Sequence, residues 1–388
     1  ALHSCADGYG SVASTSKRSL KMLNLLCVGA PFLELHVEAD AELLSRYEVV
    51  PHTAVQAQER HAELLLEVQR GSATGAIKVE QFPGGSATTT ALAVLALAKA
   101  RTVDDEGDDT APEVDDQDRP DVSLLGGVSR DEHGARLREL LHIEGVSMLL
   151  SDSDTEATGW RLVLHDRRRS GGQGLGPMPG VTESDAVRVG AVSTVTRTGA
   201  AREYKLDHLR FKVWESVEAA RVVYIDALFL MVSLESGRII AEHCAKMGKT
   251  LCLNLSARYI CSYFADRILQ LVPYVDYVFG NEAEYIELAE KQGEAVAGSI
   301  DAAVVWLTRM PRADGDPRRK RHVIATCGLK PTVVASSWRG YGMKVQRYPV
   351  PPVKTGNFVC KDGAGDAFAG GFLFGLMFEA QLDDCMHL

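Results

Sequence analysis

Lys361-Asp362-Gly363-Ala364-Gly365-Asp366-Ala367-Phe368-Ala369-Gly370-Gly371-Phe372 sets a turn of small residues directly ahead of a carboxylate that opens an apolar helix. Three small residues, Gly363, Ala364 and Gly365, let successive backbone N–H groups converge on one point. The positive end of the helix that follows adds to their attraction for an anion. Asp366 then stands where a general base is needed. Together these features make an anion hole with a base beside it, a way to build a phosphoryl-transfer site without a Walker loop. In isolation the same stretch is also an ordinary capped helix start, because Asp is favoured there in any protein. Its meaning therefore depends on the rest of the chain.

Upstream of this turn the sequence alternates between short apolar runs and helical stretches. The run Leu23-Asn24-Leu25-Leu26-Cys27-Val28 ends in Gly29, and similar runs recur at 122–127, 222–225, 250–254, 275–280 and 322–326. Such continuous apolar runs suit strands buried on both faces. Helices are expected between them, at 86–100, 133–142, 236–247, 259–272 and 283–292. The alternation predicts an α/β fold, a mainly parallel central sheet with helices on both faces. Residues 36–82 and 145–205 break the rhythm with shorter alternating segments and are expected to form a small β-rich lid.

Composition narrows the class. The 388 residues are 46% hydrophobic, enough for one large core with a smaller appended unit. No apolar run approaches the roughly 18–20 residues that span a bilayer, so no membrane partner is expected. The eight cysteines show no C-x-x-C pair, which argues against a zinc site or a disulfide framework and fits an intracellular, reducing compartment, most simply the cytoplasm. Of the net charge of −10, ten acids and one base fall within 104–121. That block reads as a solvated acidic insertion, or as a docking surface for a basic partner. The basic segment 309–322 is expected to be a second solvated loop, and without interleaved aromatics it is a weak nucleic-acid signal. Residues 1–21, which begin at Ala, read as a flexible leader or processed segment.

The stretch around Asp366 resembles the D-T-x-G-A-G-D signature of the ribokinase-like (PfkB) sugar and nucleoside kinases. The run 222–293, with Phe229-Leu230-Met231-Val232-Ser233 and Asn281-Glu282-Ala283-Glu284, is similar to the adenosine kinase branch of that family. Gly29-Ala30-Pro31-Phe32-Leu33-Glu34, Pro83-Gly84-Gly85-Ser86 and Gly126 to Gly134 match further family motifs in the family's order. The resemblance covers 23–388 apart from the two charged insertions. It implies ATP and Mg²⁺ as cofactors, adenosine as the acceptor and AMP as the product. It makes Asp366 the catalytic base, with Gly363, Ala364 and Gly365 as the anion hole. It places Glu34, Gly84, Gly85, Thr89 and Phe229 at the nucleoside, and Asn281 and Glu284 around magnesium and phosphate. Phe229 and Tyr259 would be pocket walls or plain core. Asn281 to Glu284 taken alone is also a capping pattern.

The departures from the family concentrate at the site. Glu34 stands for an aspartate, Ala30 and Thr89 for asparagines, and Cys360, Lys361 and Asp362 for Asp, Thr and Asn. Lys361 is placed to offset the extra carboxylate of Asp362, and one of Arg167, Arg168 and Arg169 to supply a lid cation. A family helix that walls the adenine has no counterpart before Leu388, so either the sequence is part of a longer chain or ATP binding is impaired. Three readings stay open: an adenosine kinase, another sugar or nucleoside kinase, and a catalytically degenerate kinase fold that serves as a scaffold and assembles through its charged insertions.

Overall fold

Val222-Val223-Tyr224-Ile225-Asp226 is buried at every position, as expected of a strand covered on both faces. In the computed structural model, which describes residues 24–50, 53–105, 120–166, 192–313, 319–338, 342–352 and 362–388, it is an interior strand of a nine-stranded sheet. In chain order the strands are β1 (Leu25–Val28), β2 (Phe32–Ala39), β3 (Ala54–Gln56), β4 (Val79–Gly84), β5 (Val122–Ser129), β6 (Ser147–Ser153) and β7 (Thr158–Asp166). There follow β8 (Val192–Gly199), β9 (Val222–Asp226), β10 (Thr250–Asn254), β11 (Tyr277–Asn281), β12 (His322–Cys327), β13 (Lys330–Trp338) and β14 (Gly342–Tyr348). The large sheet runs β14-β13-β12-β11-β10-β9-β1-β5-β6, parallel except for the β12-β13 and β13-β14 pairs. A five-stranded sheet, β3-β8-β7-β2-β4, forms the lid.

Side-chain alternation explains why the large sheet is covered twice. Leu26, Val28, Val223 and Ile225 enter one apolar cluster, whereas Leu25, Cys27, Val222 and Tyr224 enter the other. Successive residues of one strand thus feed opposite faces. In the lid only one face is apolar. Leu33, Leu35, Val37, Trp160, Leu162 and Leu164 pack with Leu64, Leu65 and Val68 of the helix Glu59–Ala73. The alternate positions, Glu34, His36, Arg161 and His165, therefore share the opposite face, which carries these polar groups beside Val163 and Phe82.

The chain builds β1, then β5 and β6 on one side, and returns to place β9 and β10 on the other. The order reverses beside β1, and in such sheets the crevice outside the carboxyl ends of the strands at that point is where ligands bind. Two helices converge there. Ser86–Asp105 follows the lid strand β4, and Ala364–Met377 follows the glycine turn. They approach closely because Gly370 has no side chain: a Cβ there would lie 2.5 Å from the Ala93 Cβ.

Several expectations change. The helix expected at 86–100 runs on to Asp105; residues 106–119 of the acidic segment lie outside the described residues, as do 1–23, Arg167 to Arg169, Cys360 and Lys361. The helix expected at 259–272 is two, Arg258–Tyr263 and Ala265–Leu271, parted at Phe264. Within 145–205, β6 joins the edge of the large sheet by pairing with β5, so only β7 and β8 belong to the lid. The basic segment 309–322 is not simply a solvated loop. Arg309 ends the helix Ile300–Arg309. Arg312 and Arg319 converge on the buried Asp276 at 3.1 and 2.6 Å. Arg321 is 1% exposed and donates to the carbonyls of Val272 and Met310, both at 2.6 Å. A chain of buried carbonyls at the end of a helix needs donors, and the guanidinium fork supplies several at once.

Candidate active site

The two converging helices bring Ser86 and Asp366 together although 280 residues separate them. Ser86 Oγ donates to Asp366 Oδ1 at 2.6 Å. Asn254, the last residue of β10, donates through Nδ2 to Ser86 Oγ at 2.9 Å and to the Tyr224 hydroxyl at 2.8 Å. The Thr90 hydroxyl, one turn into the first helix, lies 3.2 Å from the Tyr224 hydroxyl and 3.3 Å from the Asp366 carbonyl, within hydrogen-bond reach of both. Asp366 is thus gripped from both its side chain and its backbone. Burial raises its carboxyl to about 7, with the Ser86 hydrogen bond and Arg161 pulling it down and Asp226 and Asp362 pushing it up. A carboxylate poised near neutrality is suited to take a proton.

Ahead of Asp366, Gly363 adopts φ +73° and caps the helix. Glycine is the residue that takes this conformation without strain. The first-turn amides behind it have no acceptor within their own helix, and a Cβ on Gly365 would face open space. The turn therefore offers N–H donors and room in the same place, as an anion hole requires.

Asp226, which ends β9, is fully buried and accepts from the amides of Phe229 at 2.8 Å and Ala87 at 3.3 Å. Burial raises its carboxyl to about 6 against the pull of those amides. It fits only because residue 29 is glycine: a Cβ there would sit 2.4 Å from Asp226 Oδ2. By bonding Ala87 it fixes the turn that presents Ser86.

The diglycine has a steric role on the lid side. Gly85 has φ +107°, and a Cβ on it would lie 2.6 Å from the Ala30 carbonyl. A Cβ on Gly84 would lie 2.3 Å from Glu34 Cγ. Glu34 projects from β2 opposite Arg161 of β7, its register partner. Arg161 Nη1 donates to Glu34 Oε1 at 3.1 Å, and its Nη2 donates to Asp362 Oδ1 at 2.8 Å. Burial works against the Arg161 charge, but Asp362 and Glu34 outweigh it and hold the guanidinium protonated above its ordinary range. His36 Nε2 lies 3.3 Å from Glu34 Oε2, and its Nδ1 lies 3.1 Å from His165 Nε2.

Of the residues picked out by sequence, Glu34, Gly84, Gly85, Thr89, Gly363, Ala364, Gly365 and Asp366 surround the crevice; the Thr89 methyl lies 3.6 Å from a Cβ placed on Gly363. Phe229 is 1% exposed and stacks edge-on against Tyr204, so in this conformation it is core. Tyr259 is 38% exposed and accepts from the lid residue Gln56 at 3.2 Å. Asn281 and Glu284 form a reciprocal cap: the Asn281 amide and Nδ2 donate to Glu284 at 2.9 and 2.7 Å, and the Glu284 amide donates back at 3.0 Å. Burial raises Glu284 to about 7. Among the described residues no group of three or more His, Cys, Asp or Glu could hold a metal. The buried Glu284 carboxylate beside the Asn281 amide is a hard oxygen donor of the kind that suits the water shell of Mg²⁺.

Sequence reading missed Arg161 and Asp226. Arg161 is an outward position of an alternating strand, which marks nothing by itself, whereas Asp226 puts a charge at the carboxyl end of an otherwise apolar parallel strand, the position where such a residue faces the crevice.

The profile of the pfkB family carbohydrate kinases matches residues 184–388. Over 363 residues the chain is 29% identical to adenosine kinase 2 of Arabidopsis thaliana, covering 93% of this chain and 90% of that one. It is 37% identical to the adenosine kinase of Schizosaccharomyces pombe over 197 residues, 50% of this chain and 56% of that one. Among solved structures, Anopheles gambiae adenosine kinase in complex with P1,P4-di(adenosine-5) tetraphosphate superposes with a TM-score of 0.73 at 25% identity, over 94% of this chain and 92% of that one. Nothing among these relatives favours the scaffold alternative. No helix among the described residues is long and apolar enough to cross a membrane.

Proposed function

This chain belongs to the pfkB family of carbohydrate kinases, and from that premise we propose that it is an adenosine kinase, transferring the γ-phosphate of ATP to the 5′-hydroxyl of adenosine to give AMP and ADP. The observation that carries the reading is the Ser86–Asp366 pair at the starts of two helices, with the carboxyl near neutrality beside an open glycine turn. The named relatives support the acceptor.

Asp366 accepts the proton of the acceptor hydroxyl as its oxygen attacks phosphorus and the bond to ADP breaks. The amides of Gly363, Ala364 and Gly365 hold the oxygens of the phosphoryl group in flight. Glu34 retains lone pairs beyond those used by Arg161 and His36 and accepts from ribose hydroxyls, and Gly84 and Gly85 let the backbone come close to the sugar. Magnesium, when bound, would neutralise phosphate charge, and Asn281 and Glu284 are the residues that would hold it through water. The lid sheet keeps bulk water from the transferring group. The buried thiols of Cys27, Cys244, Cys252 and Cys261 agree with an intracellular, reducing setting such as the cytoplasm.

The test is AMP and ADP formation by the purified full chain with adenosine, ATP and Mg²⁺, with Asp366→Asn as the comparison. AMP that depends on Asp366 sustains the reading. No AMP from the folded wild type overturns it.

A further inference from the structure

Two carboxylates, Glu34 on the lid and Asp362 at the mouth of the glycine turn, are joined by one guanidinium. Asp362 directly precedes the turn on which negative charge must gather, where an uncompensated carboxylate works against phosphoryl transfer. Its side chain is 30% exposed and that of Arg161 is 21% exposed, so this is a partly desolvated pair rather than a surface one. Arg161 also keeps a buried Nε without a partner among the described residues. An arginine present only to tie two strands together would be expected to satisfy its whole fork.

We propose that Arg161 is a positioning residue that couples the two halves of the reaction, orienting Glu34 for the acceptor while it neutralises Asp362 and holds it off the anion hole. The inference rests on the phosphotransferase reading above and adds a specific residue to it. Geometry supports the coupling. Glu34 and Arg161 are register partners on neighbouring parallel strands, so their side chains rise from the same lid face. Asp362 lies on a different part of the chain, 201 residues away from Arg161, so the guanidinium spans the seam between lid and turn. The base senses both ends of the bridge, being pulled down by Arg161 and pushed up by Asp362. Lysine cannot reproduce the arrangement, because a single ammonium does not present two N–H donors in a fixed plane.

The experiment compares Arg161→Met, Arg161→Lys, Asp362→Asn and the Arg161→Met/Asp362→Asn double variant by steady-state kinetics with adenosine, and by thermal unfolding. Arg161→Met is expected to lower kcat/KM about a hundredfold, the scale for stripping one partner from a buried charge pair, through both a higher adenosine KM and a lower kcat. Adding Asp362→Asn is expected to restore kcat at least about tenfold while KM stays high, because the carboxylate that lost Arg161 is gone while Glu34 is still held by His36 without Arg161. Arg161→Lys should recover only part of the activity. A double variant no faster than Arg161→Met, or an Arg161→Met enzyme with wild-type constants, overturns the proposal. If the wild type makes no AMP, the proposed function falls, and the unfolding cycle then decides on Arg161: melting temperatures that are non-additive between positions 161 and 362 sustain the bridge, and additive ones remove it.

Discussion

Replacing Asp366 by Asn should make the protein more stable while abolishing its activity, and the gain should disappear in mild acid. Burial holds the carboxyl at about 7 instead of 3.8. The sign follows from linkage. A carboxyl raised in the folded state favours folding fully below its unfolded value, and that contribution is lost as the pH rises through the folded value. Above pH 7 the fold therefore carries a charge that the unfolded chain carries more cheaply, at a cost of up to about 4 kcal/mol. Asparagine keeps an oxygen that can accept from Ser86, but its amide N–H groups need partners of their own, which offsets about 1–2 kcal/mol. A net gain of about 2 kcal/mol remains, on the order of 3 °C in melting temperature for a chain of this length. Differential scanning fluorimetry of both proteins at about pH 8 and about pH 5 measures it. The gap should be largest at the higher pH and shrink by more than half at the lower, where the wild-type carboxyl is already protonated in the fold. A variant that melts at or below the wild type at pH 8, or a gain that ignores pH, would refute the claim that burial of this carboxylate is what tunes it.

The same carboxyl sets the pH profile of the free enzyme. kcat/KM for adenosine should fall tenfold per pH unit below about 7 as Asp366 becomes protonated. Ser86→Ala removes a hydrogen bond that favours the carboxylate, so it should move that limb to higher pH; a limb that stays in place would show that Ser86 does not address the base. Gly84→Ala puts a methyl group 2.3 Å from Glu34 Cγ. It is expected to raise the adenosine KM by about tenfold through displacement of Glu34, with kcat changed less, and an unchanged KM would separate Glu34 from the acceptor. Arg321→Met takes the guanidinium donors from the Val272 and Met310 carbonyls, leaving Val272 only the Val275 amide, and should cost about 3 kcal/mol in urea unfolding. A variant as stable as the wild type would mean that other donors replace the guanidinium.

What could be read from the sequence divides along the range over which each determinant acts. The strand runs, the helices at 86 and 283 and the glycine turn at 363 are set by neighbours in the chain, by apolar period, by caps and by residues that tolerate positive φ. Those were legible, and so was the position of Asp366 in the first helical turn behind the glycine. The break at Phe264 was not, because no glycine or proline marks it. Nor was the placement of β6, since a short apolar strand carries no label for the sheet that will take it. The basic segment misled for a different reason. Charge density predicts solvation only when no buried acceptor is waiting, and Asp276 with the carbonyls around Val272 comes from elsewhere in the chain.

The bridge through Arg161 shows the same limit at the site itself. Taken one at a time, Glu34 in place of aspartate and Asp362 in place of asparagine look like damage, a longer arm and an unwanted charge. Arg161 looks like an ordinary cation on the outward face of an alternating strand. Only the fold places Arg161 across from Glu34 and within 2.8 Å of Asp362. Brought together they form a compensated set: the extra carboxylate has a counter-charge, and the longer acid is held at its far end. Departures that gather at one place are therefore not by themselves a sign of decay. They have to be read as a group, in three dimensions, before a residue is counted as lost, and here the group includes a residue that lies outside every recognisable motif.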